Sequence, residues 1–268
     1  MNNQPIGIFD SGLGGLTCVK EVMKTLPNED IIYFGDTSRV PYGTKSKDTL
    51  IKYVRQDIKF LKTFDVKMII AACGTASTIL PELQDEFDIE ISGVVIPATK
   101  EAVKMSRNKK IGILGTMGTI NSNKYCEIIN EIDSGIEVVS QACPLFVPLV
   151  EDGRLSGELP KMVADEYLQP LKDAGVDTVI LGCTHYPLLS NVIGEILGSD
   201  VKLIDAGQAA AIASAKRLAE LDMENKSDKC GKVQFFVSDD VAGFSKLGGM
   251  FLEREIADNV RKINIEEY

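Results

Sequence analysis

The residues best suited to chemistry are two cysteines at the ends of short apolar runs, Cys73 after Met68 to Ala72 and Cys183 after Thr178 to Leu181. The second stands in Gly182-Cys183-Thr184-His185-Tyr186-Pro187, which sets the chain's only histidine two residues beyond a thiol. A cysteine alone at such a place is usually a small buried apolar residue, and a histidine alone a hydrogen-bonded filler. The pair points instead to a reactive site, because an imidazole near a thiol can hold it as thiolate or take its proton, and the thiolate is the reactive form. A thiol's reference pKa of about 8.5 lets it cycle between acid and base near neutrality. Two thiols facing one carbon from opposite sides would take a proton from one face and return one to the other, inverting a stereocentre without metal or pyridoxal phosphate. The carbanion between them needs donors, for which Ser11, Thr75, Thr184 and backbone N–H groups are candidates.

The elements that must position these groups are short. Thr178 to Leu181 is too brief for a core helix and rich in β-branched residues, so it reads as a buried strand, and strand ends are where open α/β sheets bind ligands. Ile6 to Phe9 predicts a first strand, then the loop Asp10-Ser11-Gly12-Leu13-Gly14-Gly15, then a helix with Leu16, Val19, Met23 and Leu26 at helical spacing. A loop of this kind offers N–H groups to a carboxylate or phosphate, but Thr17 stands at the third glycine position of a dinucleotide fingerprint and argues against a nucleotide. On spacing alone, Asp10 is either a helix cap or a functional acid.

Ile31 to Gly35 predicts a second strand opening into the polar loop Asp36 to Gly43, where Asp36 suits a turn, and Ser46 suits the cap of a helix carrying Leu50, Val54, Ile58 and Leu61. Pro81 should bend or split the helix after Cys73. Ile91 to Ile96 predicts a fourth strand, with Pro97 in the first turn of a helix reaching Ser106. Toward the end come a strand over Val201 to Ile204, a helix over 207–221, a charged loop over 222–232 and a strand over Val233 to Val237. Helix is then expected over 243–252 and on to Val260.

The pattern starts again at Lys110. Ile6-Gly7-Ile8-Phe9 returns as Ile111-Gly112-Ile113-Leu114 at an offset of 105, Pro41 as Pro148 at 107, and Cys73 as Cys183 at 110. Three landmarks in one order with nearly one spacing predict two halves of like topology. The expected fold is therefore α/β, with two pseudo-symmetric domains, each a mostly parallel sheet flanked by helices, and the active site in the cleft between them. We divide the chain into residues 1–97, 98–206 and a segment 207–268 that returns to the first domain.

A net charge of -10 over 268 residues disfavours nucleic acid or an anionic membrane surface as the main partner. The first residues lack a signal peptide and no apolar run has the length of a membrane span, so a cytoplasmic location is expected. Six dispersed cysteines with no Cys-x-x-Cys pair suggest neither a disulfide framework nor a metal site. The same wide separation counts against a thiol oxidoreductase using Cys73 with Cys183, and the missing signal peptide against a two-lobed export-type binding protein.

Four ordered segments, Ile6 to Gly15, Pro41-Tyr42-Gly43, Ala72-Cys73-x-Thr75-Ala76-Ser77 and Gly182 to Pro187, resemble the signatures of cofactor-independent glutamate racemases in the aspartate/glutamate racemase superfamily. The similarity also takes in Ile111 to Thr119 and Pro144 to Gly153. The resemblance implies interconversion of L- and D-glutamate without a cofactor, the D form being supplied to peptidoglycan, by a homodimer; aspartate or a related acid is the alternative substrate. It implies that Cys73 deprotonates the D enantiomer and Cys183 the L enantiomer, with Asp10 assisting Cys73 and His185 and Glu151 assisting Cys183. It also implies substrate contacts at Asp10, Ser11, Pro41, Tyr42, Gly43, Gly74, Thr75, Thr184 and His185. One position departs from the pattern: the family usually carries asparagine where this chain has Gly74, so a side-chain amide is missing.

Overall fold

The computed structural model describes residues 2–256 and 260–268. Strands β1 (Ile6–Asp10), β2 (Ile31–Gly35), β3 (Met68–Ala71) and β4 (Glu90–Gly93) are joined by helices α1 (Leu16–Thr25), α2 (Lys47–Lys62) and the one-turn α3 (Gly74–Ser77). Helix α4 (Val95–Met105) then leads to a second set, β5 (Lys110–Gly115), β6 (Glu137–Ala142), β7 (Thr178–Leu181) and β8 (Lys202–Asp205). Between these lie α5 (Met117–Asn121), α6 (Lys124–Ile132), α7 (Phe146–Glu151), α8 (Glu158–Ala174) and α9 (Ser190–Leu197). The chain ends with α10 (Ala206–Glu220), β9 (Val233–Val237), α11 (Val241–Leu252) and β10 (Val260–Lys262).

The first sheet has the order β10-β9-β2-β1-β3-β4 and the second β6-β5-β7-β8. Every described pairing in both is parallel. The run β2-β1-β3-β4 is thus repeated in β6-β5-β7-β8, which is the like topology that the offsets of 105 to 110 residues predict. β9 adds to the first sheet beside β2, in register from Ile31 with Val233 to Gly35 with Val237. The central strands β1, β2, β3 and β7 are buried along their whole length. Parallel strands covered on both faces need continuous apolar runs of this kind.

Helix α2 begins at Ser46, whose hydroxyl accepts from Thr49 N–H, and buries Leu50, Val54, Ile58 and Leu61 on one face of the first sheet. On the other face, α1 meets α10, and α10 meets α4. Through these helices one hydrophobic core runs from Ile8 and Val19 to Ala98, Ala210, Ile113 and Ile180, passing from the first sheet to the second.

Pro81 does split its segment, into α3 and short 3-10 turns at Leu80–Glu82 and Gln84–Glu86. The expected strand to Ile96 stops at Gly93, because Val94 N–H is taken by the Ser77 hydroxyl and helix α4 starts at Val95, putting Pro97 in its first turn, where its missing N–H costs nothing. The helix expected to run on to Val260 ends at Leu252, where Glu253 turns left-handed at φ 54°, and Val260 opens a strand. Residues 257–259 of that expectation lie outside the described residues. Among the described residues no helix is long and apolar enough to cross a membrane.

Candidate active site

Parallel sheets gather the carboxyl ends of their strands on one edge, and in each sheet the order of connection reverses between the first and third strands, β1 and β3 here, β5 and β7 there. Cys73 lies two residues beyond β3 and Cys183 two beyond β7. Both therefore emerge at the switch point of their own sheet, and both line one cavity of about 310 Å³. That is the small end of the range for ligand pockets. Ser11, Pro41, Tyr42, Gly43, Gly74, Thr75, Glu151, Thr184 and His185 line the same cavity. Both cysteines are free thiols.

Cys73 occupies the N-cap of α3, with its Sγ 3.8 Å from the Ser11 hydroxyl. Burial pushes this thiol up to about 12, reinforced by the nearby Asp10 charge and opposed by the Ala76 and Ser11 N–H groups. Burial likewise pushes Cys183 up, against the His185 N–H. The Cys183 Sγ is 3.9 Å from His185 Nδ1, and His185 Nε2 is 3.1 Å from a Glu151 carboxylate oxygen at the end of α7. A proton on Nε2 donated to Glu151 leaves Nδ1 free to accept from the thiol.

Asp10 stands apart from the rest of the predicted set, since its side chain is fully buried behind the cavity wall. Its carboxylate accepts the Gly12 N–H at 3.0 Å and the Thr184 hydroxyl at 3.4 Å. It is not the cap of α1, whose N-cap position is Gly15, with no side-chain cap hydrogen bond. Burial raises its pKa, while the charge of His185 and local N–H donors oppose the shift. Among the described residues it makes no hydrogen bond to Cys73, so its influence on that thiol is through charge.

The glycine-rich loop does not present an open anion cradle. A Cβ on Gly14 would lie 2.1 Å from Thr184 Oγ1 and 2.5 Å from His185 Nδ1, so this glycine seats the second cysteine loop against the loop after β1. Thr17 Oγ1 donates to Thr184 O at 2.9 Å and ties the same junction. Gly74 makes a matching contact, where a Cβ would fall 2.1 Å from the Gly182 carbonyl oxygen. The residue that removes an amide therefore also lets the two cysteine loops meet backbone to backbone. At a third place Gly43 abuts Thr116 and Gly118.

Sequence reasoning missed Thr116, Thr119 and Cys143, which also line the cavity. The hydroxyls of Thr75, Thr116 and Thr119 form a triangle with sides of 2.9, 3.2 and 3.0 Å across the cleft. The repeat held a signal for them: Thr116 follows Ser11 by the same 105 residues that separate β1 from β5, and Cys143 follows Asp36 by the 107 that separate Pro41 from Pro148. Among the described residues no group of three metal-ligating side chains is placed to hold an ion.

With this geometry in view, the sequence matches the Asp/Glu/Hydantoin racemase family over residues 16–213. It is 46% identical to a glutamate racemase of Geobacter metallireducens across 97% of each chain. The fold resembles that of a glutamate racemase isoform from Bacillus anthracis with a TM-score of 0.94, at 35% identity over 98% of each chain. It also resembles that of the Francisella tularensis glutamate racemase in complex with D-glutamate, with a TM-score of 0.92 at 40% identity over the full length of both. A family match over most of the chain, close relatives along its whole length and a shared fold lead to one conclusion: the chain belongs to the Asp/Glu/hydantoin racemase family and is an amino-acid racemase.

Proposed function

We propose that the protein interconverts L- and D-glutamate by a two-base reaction in which Cys73 and Cys183 act on opposite faces of the α-carbon. The observation that carries this reading is the position of two free thiols at equivalent strand ends of two repeated sheets, lining one small cavity. Glutamate as substrate rests on the relatives named above, one of them solved with D-glutamate.

In the D to L direction Cys73 as thiolate takes the Cα proton, and the Cys183 thiol gives its own to the other face; the reverse direction exchanges the roles. Each turnover leaves the protons redistributed, with Cys73 as thiol and Cys183 as thiolate, and the pair resets before the next D substrate. His185, oriented by Glu151, serves Cys183, and Asp10 acts on Cys73 through its charge. Burial favours both thiols in the free protein, and the ammonium group of an arriving amino acid supplies the positive charge that lowers a thiol's pKa. The N–H groups of Gly74, Thr75 and Thr184 and the hydroxyls of Ser11 and Thr75 suit the substrate's carboxylates and the developing carbanion. The Tyr42 hydroxyl is occupied elsewhere, so residues 41–43 serve through their backbone. We assign residues 1–97 with 207–268 to one lobe and 98–206 to the other, and place the enzyme in the cytoplasm as a homodimer supplying D-glutamate to peptidoglycan.

The test is racemisation in D2O with no added cofactor, starting from either enantiomer, followed by circular dichroism and mass spectrometry. Two opposed bases predict deuterium at Cα of the first product and none in recovered substrate. Deuterium appearing equally fast in both would mean one base, and a flat dichroic signal from both enantiomers would end the assignment. Faster turnover of aspartate than of glutamate would move it to the shorter acid.

A further inference from the structure

Behind the cavity loop lies a cluster of polar groups that the proposed reaction does not use. Asp36 and Asp57 are both fully buried, Arg39 and Gln56 are nearly so, and the Tyr42 side chain is buried among them. The Tyr42 hydroxyl is 2.6 Å from Asp36 Oδ2 and 2.8 Å from Asp57 Oδ2. A phenol carries one hydrogen and can donate to only one of these oxygens, so the other contact needs a second proton. Asp36 has no room for it, because its Oδ2 also receives Arg39 Nε and its Oδ1 receives the Ser238 hydroxyl at 2.8 Å. Asp57 meets Arg39 only at 3.2 Å through Oδ1, which leaves Oδ2 free to carry the hydrogen. Arg39 is further held by the Gln56 side chain at 2.5 Å and by Glu266 at 3.3 Å.

We propose that Asp57 is a positioning residue that keeps a proton in the working enzyme and, through the Tyr42 hydroxyl, fixes the backbone of residues 41–43 at the cavity wall. The chain of donors then runs Asp57 to Tyr42 to Asp36, and the buried charges reduce to one Arg39 cation against one Asp36 anion. Two ionised acids on that phenol would leave the pocket with an uncompensated negative charge, which burial disfavours. The groups facing Asp57 are Asp36, Arg39 and Tyr42 from the loop after β2 and Asp10 at the end of β1, while Gln56 on its own helix meets Arg39. Glu266 reaches it through Arg39 and is itself paired with Lys52 at 3.3 Å. Burial and the Asp36 charge raise the Asp57 pKa and Arg39 opposes them, in keeping with the geometry.

The kinetic part of this inference rests on the proposed function, because it takes residues 41–43 as a glutamate-binding loop. The test joins infrared difference spectroscopy on the substrate-free protein with steady-state kinetics. Wild type minus Asp57→Asn should show the carbonyl stretch of a protonated carboxyl, which fades as pH rises. Asp57→Asn, which keeps a neutral donor to Tyr42, should hold KM for glutamate within about twofold, whereas Asp57→Ala and Tyr42→Phe should raise KM tenfold or more with a smaller effect on kcat. A difference spectrum with carboxylate bands alone, or equal KM for the Asn and Ala variants, would overturn the proposal. If wild type turned over no glutamate, the functional reading would fall, and the infrared band would still decide the protonation of Asp57.

Discussion

The two cysteines are unequal partners despite their equivalent places in the fold. Cys73 faces a hydroxyl and the N–H groups of its own short helix, whereas Cys183 faces an imidazole backed by a carboxylate. Because enantiomers have equal free energy, kcat/KM must stay equal in the two directions for every variant, and the asymmetry can show only in kcat and KM taken separately. Glu151→Gln removes the charge that orients His185, and general acid–base groups contribute about 10²- to 10⁴-fold. This variant acts through another residue, so we expect the low end of that range: kcat/KM falls equally in both directions, and kcat falls more from L-glutamate, for which the proposed reaction makes Cys183 the base. Initial rates by circular dichroism from each enantiomer check this, and an equal loss of kcat in both directions would remove Glu151 from its role.

At the scale of elements, the site depends on how closely two loops approach. A Cβ at position 74 would lie 2.1 Å from the Gly182 carbonyl oxygen, so a Gly74→Ala variant must move the loops apart by roughly 1 Å. Overpacking of this kind costs about 1–3 kcal/mol, and a misplacement of about 1 Å can cost about 100-fold in rate. We expect Gly74→Ala to lose at least tenfold in kcat, with a thermal midpoint lowered by a few degrees. An unchanged kcat would show that the loops part freely. The spacing of apolar runs made most strands legible in the sequence, and the offset near 105 to 110 residues revealed the repeat. The contacts of Gly14, Gly43 and Gly74 were not legible, since what opposes each glycine comes from the other half of the chain. Asp10 was ambiguous for a related reason: only the fold shows that its partners are Gly12 and Thr184 rather than the first turn of α1. The strand forecast to Ile96 failed because a β-branched run cannot report that Ser77 takes the Val94 N–H.

Over the whole molecule, burial of thiols couples stability to pH. Burial raises the pKa of Cys18, Cys143 and Cys183, and pushes Cys73 to about 12. The unfolded chain ionises its thiols near about 8.5 while the folded one holds their protons. The contribution to stability is therefore complete below that pH and is lost as pH rises toward the folded values, by about 1.4 kcal/mol per thiol per pH unit. The thermal midpoint should fall between pH 8.5 and 10 and fall less steeply in Cys18→Ala, a residue away from the cavity. A midpoint that stays flat over this span would show that the thiols are hydrated in the folded state.

The glycine contacts have a consequence for inhibition. Where the cavity wall is main chain, at Gly43 and Gly74, evolution can only thicken it, because any replacement adds atoms to a place already in contact. A compound shaped to rest on those two stretches could be displaced by mutation only through changes that also press a side chain into the facing loop, at Thr116 or at the Gly182 carbonyl. Resistance would then have to arise from residues elsewhere around the rim, such as the exposed Val40 and Met117.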